Sequence, residues 1–196
     1  MLAFAAAVFF LIITPGPGVL STAGVGASYG ARAGLFYVGG LFVGTNMVAL
    51  AVVTGLAAVL LADPILRSVL SVASTAYLLY LAAKIAFAGA KVGFIHPERA
   101  PGFRDGLLLQ FINPKAYAVN TLMFSGFPLG LSLAAELPAK FLIMNAIWLP
   151  LHLAWLWVGL RIEAMNLTPA VQRRVNMAMA ASMLIVVGLS LWKTMS

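Results

Sequence analysis

No cysteine occurs among the 196 residues. Disulfide frameworks, thiolate metal sites and cysteine nucleophiles are therefore excluded, and the redox compartment stays open. Charge is nearly as scarce. Asp, Glu, Lys and Arg together make up 9% of the chain, whereas soluble globular domains carry roughly 25%, so a cytosolic enzyme does not fit. Acids are rarest of all: five Asp and Glu stand against 12 Lys and Arg, for a net charge of +7. With those carboxylates scattered and only two histidines, His96 and His152, no metal-ligand cluster is visible. No Ser/His/Asp set or acid pair gathers at one depth either, and no cofactor is implied. A basic total raises the question of nucleic acid. Here the cations are separated by long uncharged stretches instead of forming a patch, which speaks against a nucleic-acid partner.

What the chain has is apolar length. Hydrophobic residues make up 63% of it, and charge-free runs cover 1–31, 33–62, 68–83, 116–135, 141–160 and 175–192. A helix needs about 20 apolar residues to cross a hydrocarbon core of roughly 30 Å. The 68–83 run is shorter, but Arg67 and Lys84 stand at its ends, placed to snorkel. Gly106 to Pro114 is apolar apart from Gln110 and Asn113, so the fourth span begins before Lys115. An all-α integral membrane protein is expected, with six transmembrane helices near 2–30, 34–62, 64–90, 104–127, 138–160 and 169–193. The lipid bilayer is its first partner.

Local signals set the boundaries. Asp63-Pro64 and Thr168-Pro169 each place a capping side chain before a proline at the first helical position. Pro128 and Pro138 bracket the loop between helices four and five. The longest polar connection, 91–105, holds Lys91, His96, Glu98, Arg99, Arg104 and Asp105, and reads as a solvated loop between two halves, 1–90 and 104–196, of one transmembrane domain spanning 1–196. Residues 1–13 lack the cation of a secretory n-region and read as a retained helix. Glycines at 24, 26 and 30, and at 40 and 44, form small-residue spacings suited to close helix packing. The loops after helices one, three and five hold eight cations (Arg32, Lys84, Lys91, Arg99, Arg104, Arg161, Arg173 and Arg174), against Arg67, Lys140 and Lys193 on the other side. Cytoplasmic loops carry the excess of Lys and Arg, so both termini are expected to face outward.

Two spans are interrupted. The first contains Thr14-Pro15-Gly16-Pro17-Gly18, where proline removes backbone donors and glycine adds freedom. Pro15 lies roughly 21 Å along that span at ~1.5 Å per residue, deep in the bilayer, where freed backbone groups must be buried in protein or line a wet cavity. The fourth contains Asn113-Pro114-Lys115, roughly 16 Å from Arg104 at helical rise. A cation at that depth costs about 2.5–3.5 kcal/mol on insertion scales, a cost that points to function. Sliding the sequence by 99 residues lays Ile13-Thr14-Pro15 on Ile112-Asn113-Pro114 and Asn46 on Asn145. Halves of three helices each would be inverted relative to one another. Discontinuous helices at corresponding places of inverted repeats are the pointer to a transporter's central binding site.

The residues also resemble the LysE/RhtB-type family of amino-acid exporters. The likeness rests on Thr14-Pro15-Gly16-Pro17-Gly18, on Gly30-Ala31-Arg32-Ala33-Gly34-Leu35, and on Gly40, Gly44 and Gly55-Leu56. Ala76-Tyr77-Leu78-Leu79-Tyr80-Leu81 and the stretch from Phe103-Arg104-Asp105-Gly106 to Asn113-Pro114-Lys115 complete it. The resemblance implies gradient-driven export of amino acids or their derivatives across a bacterial inner membrane, which would make both termini periplasmic. Where some family members carry an acid after Gly44, this chain has Thr45-Asn46, which leaves Lys115 and His152 as midplane titratable candidates and His152 as the candidate for proton coupling.

An amino acid is a zwitterion and needs acceptors and donors together. Half-helix 2–13 ends in free carbonyls suited to an ammonium. The half-helix starting near Gly18 offers amides and positive dipole to a carboxylate, with Lys115 adding a charge-assisted bond. Asn46 and Asn145 are expected to supply neutral hydrogen bonds to the substrate, and Thr14 and Thr45 are further hydroxyls within reach. The expected substrate site is thus Thr14, Pro15, Gly16, Pro17, Gly18, Asn46, Asn113, Pro114, Lys115 and Asn145. A membrane channel or non-transporting subunit is the alternative, and a homo-oligomer is compatible with either.

Overall fold

The computed structural model describes residues 1–13, 16–55, 62–87, 99–165 and 167–195, and every regular element among them is helical. In chain order these are α1 (Leu2–Ile13), α2 (Pro17–Val53), α3 (Pro64–Ala86), α4 (Phe103–Ile112), α5 (Pro114–Gly126), α6 (Leu133–Ala164) and α7 (Pro169–Met195). Thr14 and Pro15, the end of the second expected span at 56–61, and Lys91, His96 and Glu98 of the polar loop lie outside the described residues.

Both expected interruptions are present. α1 stops at Ile13, and α2 restarts at Pro17 behind Gly16, whose φ of −161° and ψ of 178° are fully extended. α4 and α5 meet at Asn113, which ends one helix and caps the next: its Oδ1 accepts from Lys115 N at 3.1 Å, with Pro114 in the first turn, where it forfeits no bond.

α2 is two helices in one. Gly30 has φ 78° and ψ −177°, a conformation that L side chains avoid, and the chain doubles back there so that Tyr37 OH reaches Ser21 Oγ at 2.9 Å. Gly30 is therefore the corner between the two arms of α2, while Gly24 and Gly26 do face packed neighbours, Ile85 and Leu156.

Helix five departs most from expectation. Pro138 does not close a loop; it lies inside α6, which begins at Leu133 and runs unbroken past Pro138 and Pro150 to Ala164. The start is fixed by Ser132, whose carbonyl accepts from Ala135 N at 2.9 Å and Glu136 N at 2.8 Å, and by the Glu136 carboxylate, which takes Leu129 N at 3.1 Å. Each proline costs one i→i−4 bond while the flanking turns hold. The same segment relocates Lys140, counted above as an outward loop cation. It is 1% exposed, pairs with Glu136 Oε1 at 2.8 Å, donates to Phe124 O at 2.9 Å and stands 5.7 Å over the Phe4 ring. One buried cation thus ties α1, the end of α5 and α6 together.

α3 starts as expected, with Asp63 Oδ1 accepting from Ile65 N and Leu66 N at 2.7 and 3.3 Å, and ends at Ala86, short of the expected 90. Packing brings α2 against α6 and α4, α3 against α7, and α1 against α6. Backbones touch where side chains vanish: a Cβ at Gly40 would strike Phe103 and Leu107, one at Gly106 would strike Tyr37 and Leu41, and one at Gly159 would strike Ala23 and Ala27. Meanwhile Phe10, Val72, Leu142 and Ile185 point outward, each more than 60% exposed. Such a surface suits hydrocarbon, not water. α2 and α6 each contain a stretch long and apolar enough to cross a membrane.

Candidate functional site

The two breaks meet. A Cβ added at Gly16 would lie 2.8 Å from Lys115 Nζ and 3.2 Å from its Cδ, so the ammonium that follows the second break rests against the bare backbone of the first. Only a residue without a side chain allows that approach. Gly18 in turn faces His152: a Cβ there would be 3.5 Å from Nε2. Histidine 152 is 3% exposed, its ring stacks on Trp148 at 3.5 Å between centroids, and its Nδ1 lies 3.0 Å from Trp148 O. A carbonyl only accepts, so Nδ1 carries a hydrogen, and in the neutral ring Nε2 presents a lone pair toward Gly18.

Around these groups lies a cavity of about 70 Å³. At ~10–15 Å³ for each water it has room for roughly five to seven, the bulk of a small amino acid. Its polar wall includes Gly16, Gly18, Gln110, Asn113, Lys115 and Asn120; Thr45 and His152 line it as well. Its apolar wall includes Leu11, Ile12, Val19, Val119, Met123 and Met144, with Trp148 beside His152. The half-helix endings therefore open on one space: the last turn of α1 through Leu11 and Ile12, and the first turn of α2 through Pro17, Gly18 and Val19. α5 opens there by its own first turn, through Lys115 and Ala116. Helix N-termini concentrate unpaired amides and positive dipole, so two of them plus an ammonium make this an anion-favouring end, with α1's carbonyl end close by for a cation.

Of the expected site residues, Gly16, Pro17, Gly18, Asn113, Lys115 and His152 line this cavity. Pro114 sits between Asn113 and Lys115 as the first residue of α5. Asn46 and Asn145 are placed differently. Each donates its Nδ2 to the other's Oδ1, at 3.0 and 2.8 Å, and Asn46 Nδ2 also reaches Phe42 O at 2.9 Å. They form a closed amide pair between α2 and α6 and are not among the described residues that line the cavity. Amides expected to face substrate bond one another because a buried amide finds its best partner in a second amide, which offers donor and acceptor together.

Sequence reasoning passed over Asn120, Gln110 and the two methionines. The 99-residue offset could have found Asn120. It pairs Ser21-Thr22 with Asn120-Thr121, so both halves carry a polar residue and then a threonine two turns after the break.

Comparison with known proteins gives the site a context. The chain is 26% identical over 125 residues to a leucine efflux protein of Enterobacter sp. (strain 638), an overlap covering 61% of this chain and 59% of that protein. It is 28% identical over 124 residues to leucine efflux proteins of Salmonella choleraesuis (strain SC-B67) and Salmonella typhi, covering 60% of this chain and 58% of each of theirs. The chain thus spans under two thirds of the length of the curated relatives it matches. No solved structure matches it. The model of the LysE type translocators matches residues 9–194, nearly the whole chain with both breaks inside it, and the chain belongs to that family of membrane transporters.

Proposed function

We propose that this chain is a secondary-active exporter of amino acids or their derivatives at the bacterial inner membrane, working by alternating access around the cavity between the two breaks. The observation that carries the reading is the contact of Gly16 with Lys115: a half-buried cation held at the meeting point of three half-helix ends, inside a space of amino-acid size. Lys115 and the first amides of α2 hold the substrate carboxylate, the carbonyl end of α1 favours its ammonium, and the apolar wall takes its side chain. His152, with the Nε2 lone pair aimed at Gly18, is the proton-coupling group. Leucine efflux, for which the relatives are named, agrees with an apolar wall of Met123, Met144 and Val119.

The six-span inverted architecture belongs to the same reading. A twofold axis in the membrane plane would exchange spans one and four, two and five, three and six. Contacts between exchanged partners then fall on the axis: Gly16 with Lys115, Asn46 with Asn145, and α3 with α7. The first two pairs are each separated by 99 residues, the offset of the repeat. The remaining pairings, α1 with α6 and α4 with α2, are images of one another under that exchange.

The test is counterflow of a panel of labelled amino acids in proteoliposomes, with Lys115→Met alongside. Exchange by the wild type and its loss in a Lys115→Met protein that still inserts and purifies as a single species is the expected result. Undiminished exchange by that variant refutes the carboxylate role, and gradient-independent flux refutes the exporter in favour of a pore. His152→Gln should flatten the pH dependence of exchange.

A further inference from the structure

α5 carries a buried acceptor that the reading above leaves unused. Asn120 is 3% exposed and stands on the cavity wall. Its Nδ2 donates to Ala116 O at 2.7 Å, and because a carbonyl only accepts, that bond fixes which amide atom is nitrogen. Oδ1 has no hydrogen-bond partner among the described residues. Buried polar atoms are nearly always bonded, so an empty acceptor beside a cavity calls for a donor from inside it.

The other half of the chain supplies the contrast. Ser21 stands 99 residues before Asn120 and makes the same backward bond, Oγ to Pro17 O, four residues earlier, as Asn120 makes to Ala116. There the acceptor is filled, by Tyr37 OH at 2.9 Å. The residue 99 positions after Tyr37 is Glu136, a side chain with no proton to give while ionised, and it is engaged by Lys140 and Leu129 N. One half satisfies this position from within the protein; in the other the amide stands on the cavity wall with Oδ1 unpaired among the described residues.

We propose that Asn120 Oδ1 accepts a hydrogen bond from the protonated α-nitrogen of the substrate, and so selects molecules that carry a donor on the carbon next to the carboxylate. The inference rests on the amino-acid reading above and deepens it. With the carboxylate at Lys115 and the nitrogen at Asn120, both at the polar end, an aliphatic side chain is left facing Met123, Met144 and Val119. A 2-oxo acid of the same skeleton would bring a carbonyl lone pair to the Oδ1 lone pair, and a site built to hydrogen-bond one partner rejects the analogue that leaves its buried group unpaired.

Binding of L-leucine and of its 2-oxo analogue, 4-methyl-2-oxopentanoate, to the reconstituted full chain separates the possibilities. The wild type should favour leucine by tenfold or more, roughly the worth of one buried hydrogen bond to a charged group. Asn120→Leu should weaken leucine about tenfold and leave the oxo acid where it was. Asn120→Ser, whose hydroxyl can still turn back to Ala116 O but falls short of the ligand, should show the same selective loss and serves where the leucine variant folds poorly. Asn120→Asp should keep the preference for leucine. Wild-type affinity and preference in both Asn120→Leu and Asn120→Ser would overturn the inference and assign the Oδ1 partner to a structural water, with the exporter reading intact. A wild type that binds neither probe nor any amino acid of the panel would instead overturn the exporter reading itself.

Discussion

Gly16→Ala asks whether the bare backbone at the first break exists to admit the ammonium of Lys115. The new Cβ would sit 2.8 Å from Nζ, and ordinary contact begins at 3.4 Å, so the ammonium must retreat by about 0.6 Å. Backbone strain does not enter, because φ of −161° and ψ of 178° at Gly16 are open to alanine. Nor should the fold suffer, since what yields is the far end of a flexible side chain. For a carboxylate held at ~2.8 Å, a retreat to ~3.4 Å lowers the pair attraction by about 1 kcal/mol at an effective dielectric of ~20. That corresponds to about a fivefold rise in the Kd for an amino acid. The assay is binding of labelled leucine to purified protein in parallel with thermal unfolding in detergent, repeated in a Lys115→Met background. The expected outcome is a fivefold loss with an unchanged Tm in the wild-type background and no further loss beside Lys115→Met. An unchanged Kd, or an equal loss whether or not the ammonium is present, refutes the reasoning.

The Asn46–Asn145 pair should behave as structure, not as substrate site: either single change to Leu orphans a half-buried amide and lowers stability by about 1 kcal/mol, while the double variant recovers most of it. Additive losses in thermal unfolding would count against a closed pair. Glu136 pairs with the ammonium of Lys140 and accepts from the amide of Leu129. Glu136→Gln leaves the buried Lys140 without its carboxylate and should lower the Tm, and an unaltered Tm would dismiss the pair. Because the chain has no cysteine, single cysteines report topology without background. Leu131→Cys should react with an impermeant thiol reagent added outside intact cells and Arg32→Cys only after permeabilisation, and the reverse pattern would invert the orientation.

The fold was legible wherever the polypeptide backbone itself forces the outcome. Gly16-Pro17 and Asn113-Pro114 open new helices because a proline in a first turn has no intrahelical bond to lose, and Asp63-Pro64 starts α3 for the reason that makes such a pair a cap. Pro138 misled because a proline's effect depends on what surrounds it: one lost bond is tolerable when Ser132 and Glu136 have already nucleated the turn before it. Lys140 misled in the opposite direction. Hydropathy places a lone cation at an interface, and only tertiary structure could bring Glu136, the Phe124 carbonyl and the Phe4 ring around it. The site divides in the same way. Lys115 stood out by its depth alone, since a midplane charge is costly in any fold. Asn120 has no such mark, as asparagine in a membrane helix commonly bonds its own backbone, and it does so here through Nδ2. What singles it out is the second atom of the same amide, unpaired among the described residues, against Ser21, whose equivalent acceptor Tyr37 fills. The 99-residue offset thus becomes informative at the place where, among the described residues, one position lacks the internal partner that its counterpart has, and a guest is the donor proposed for it.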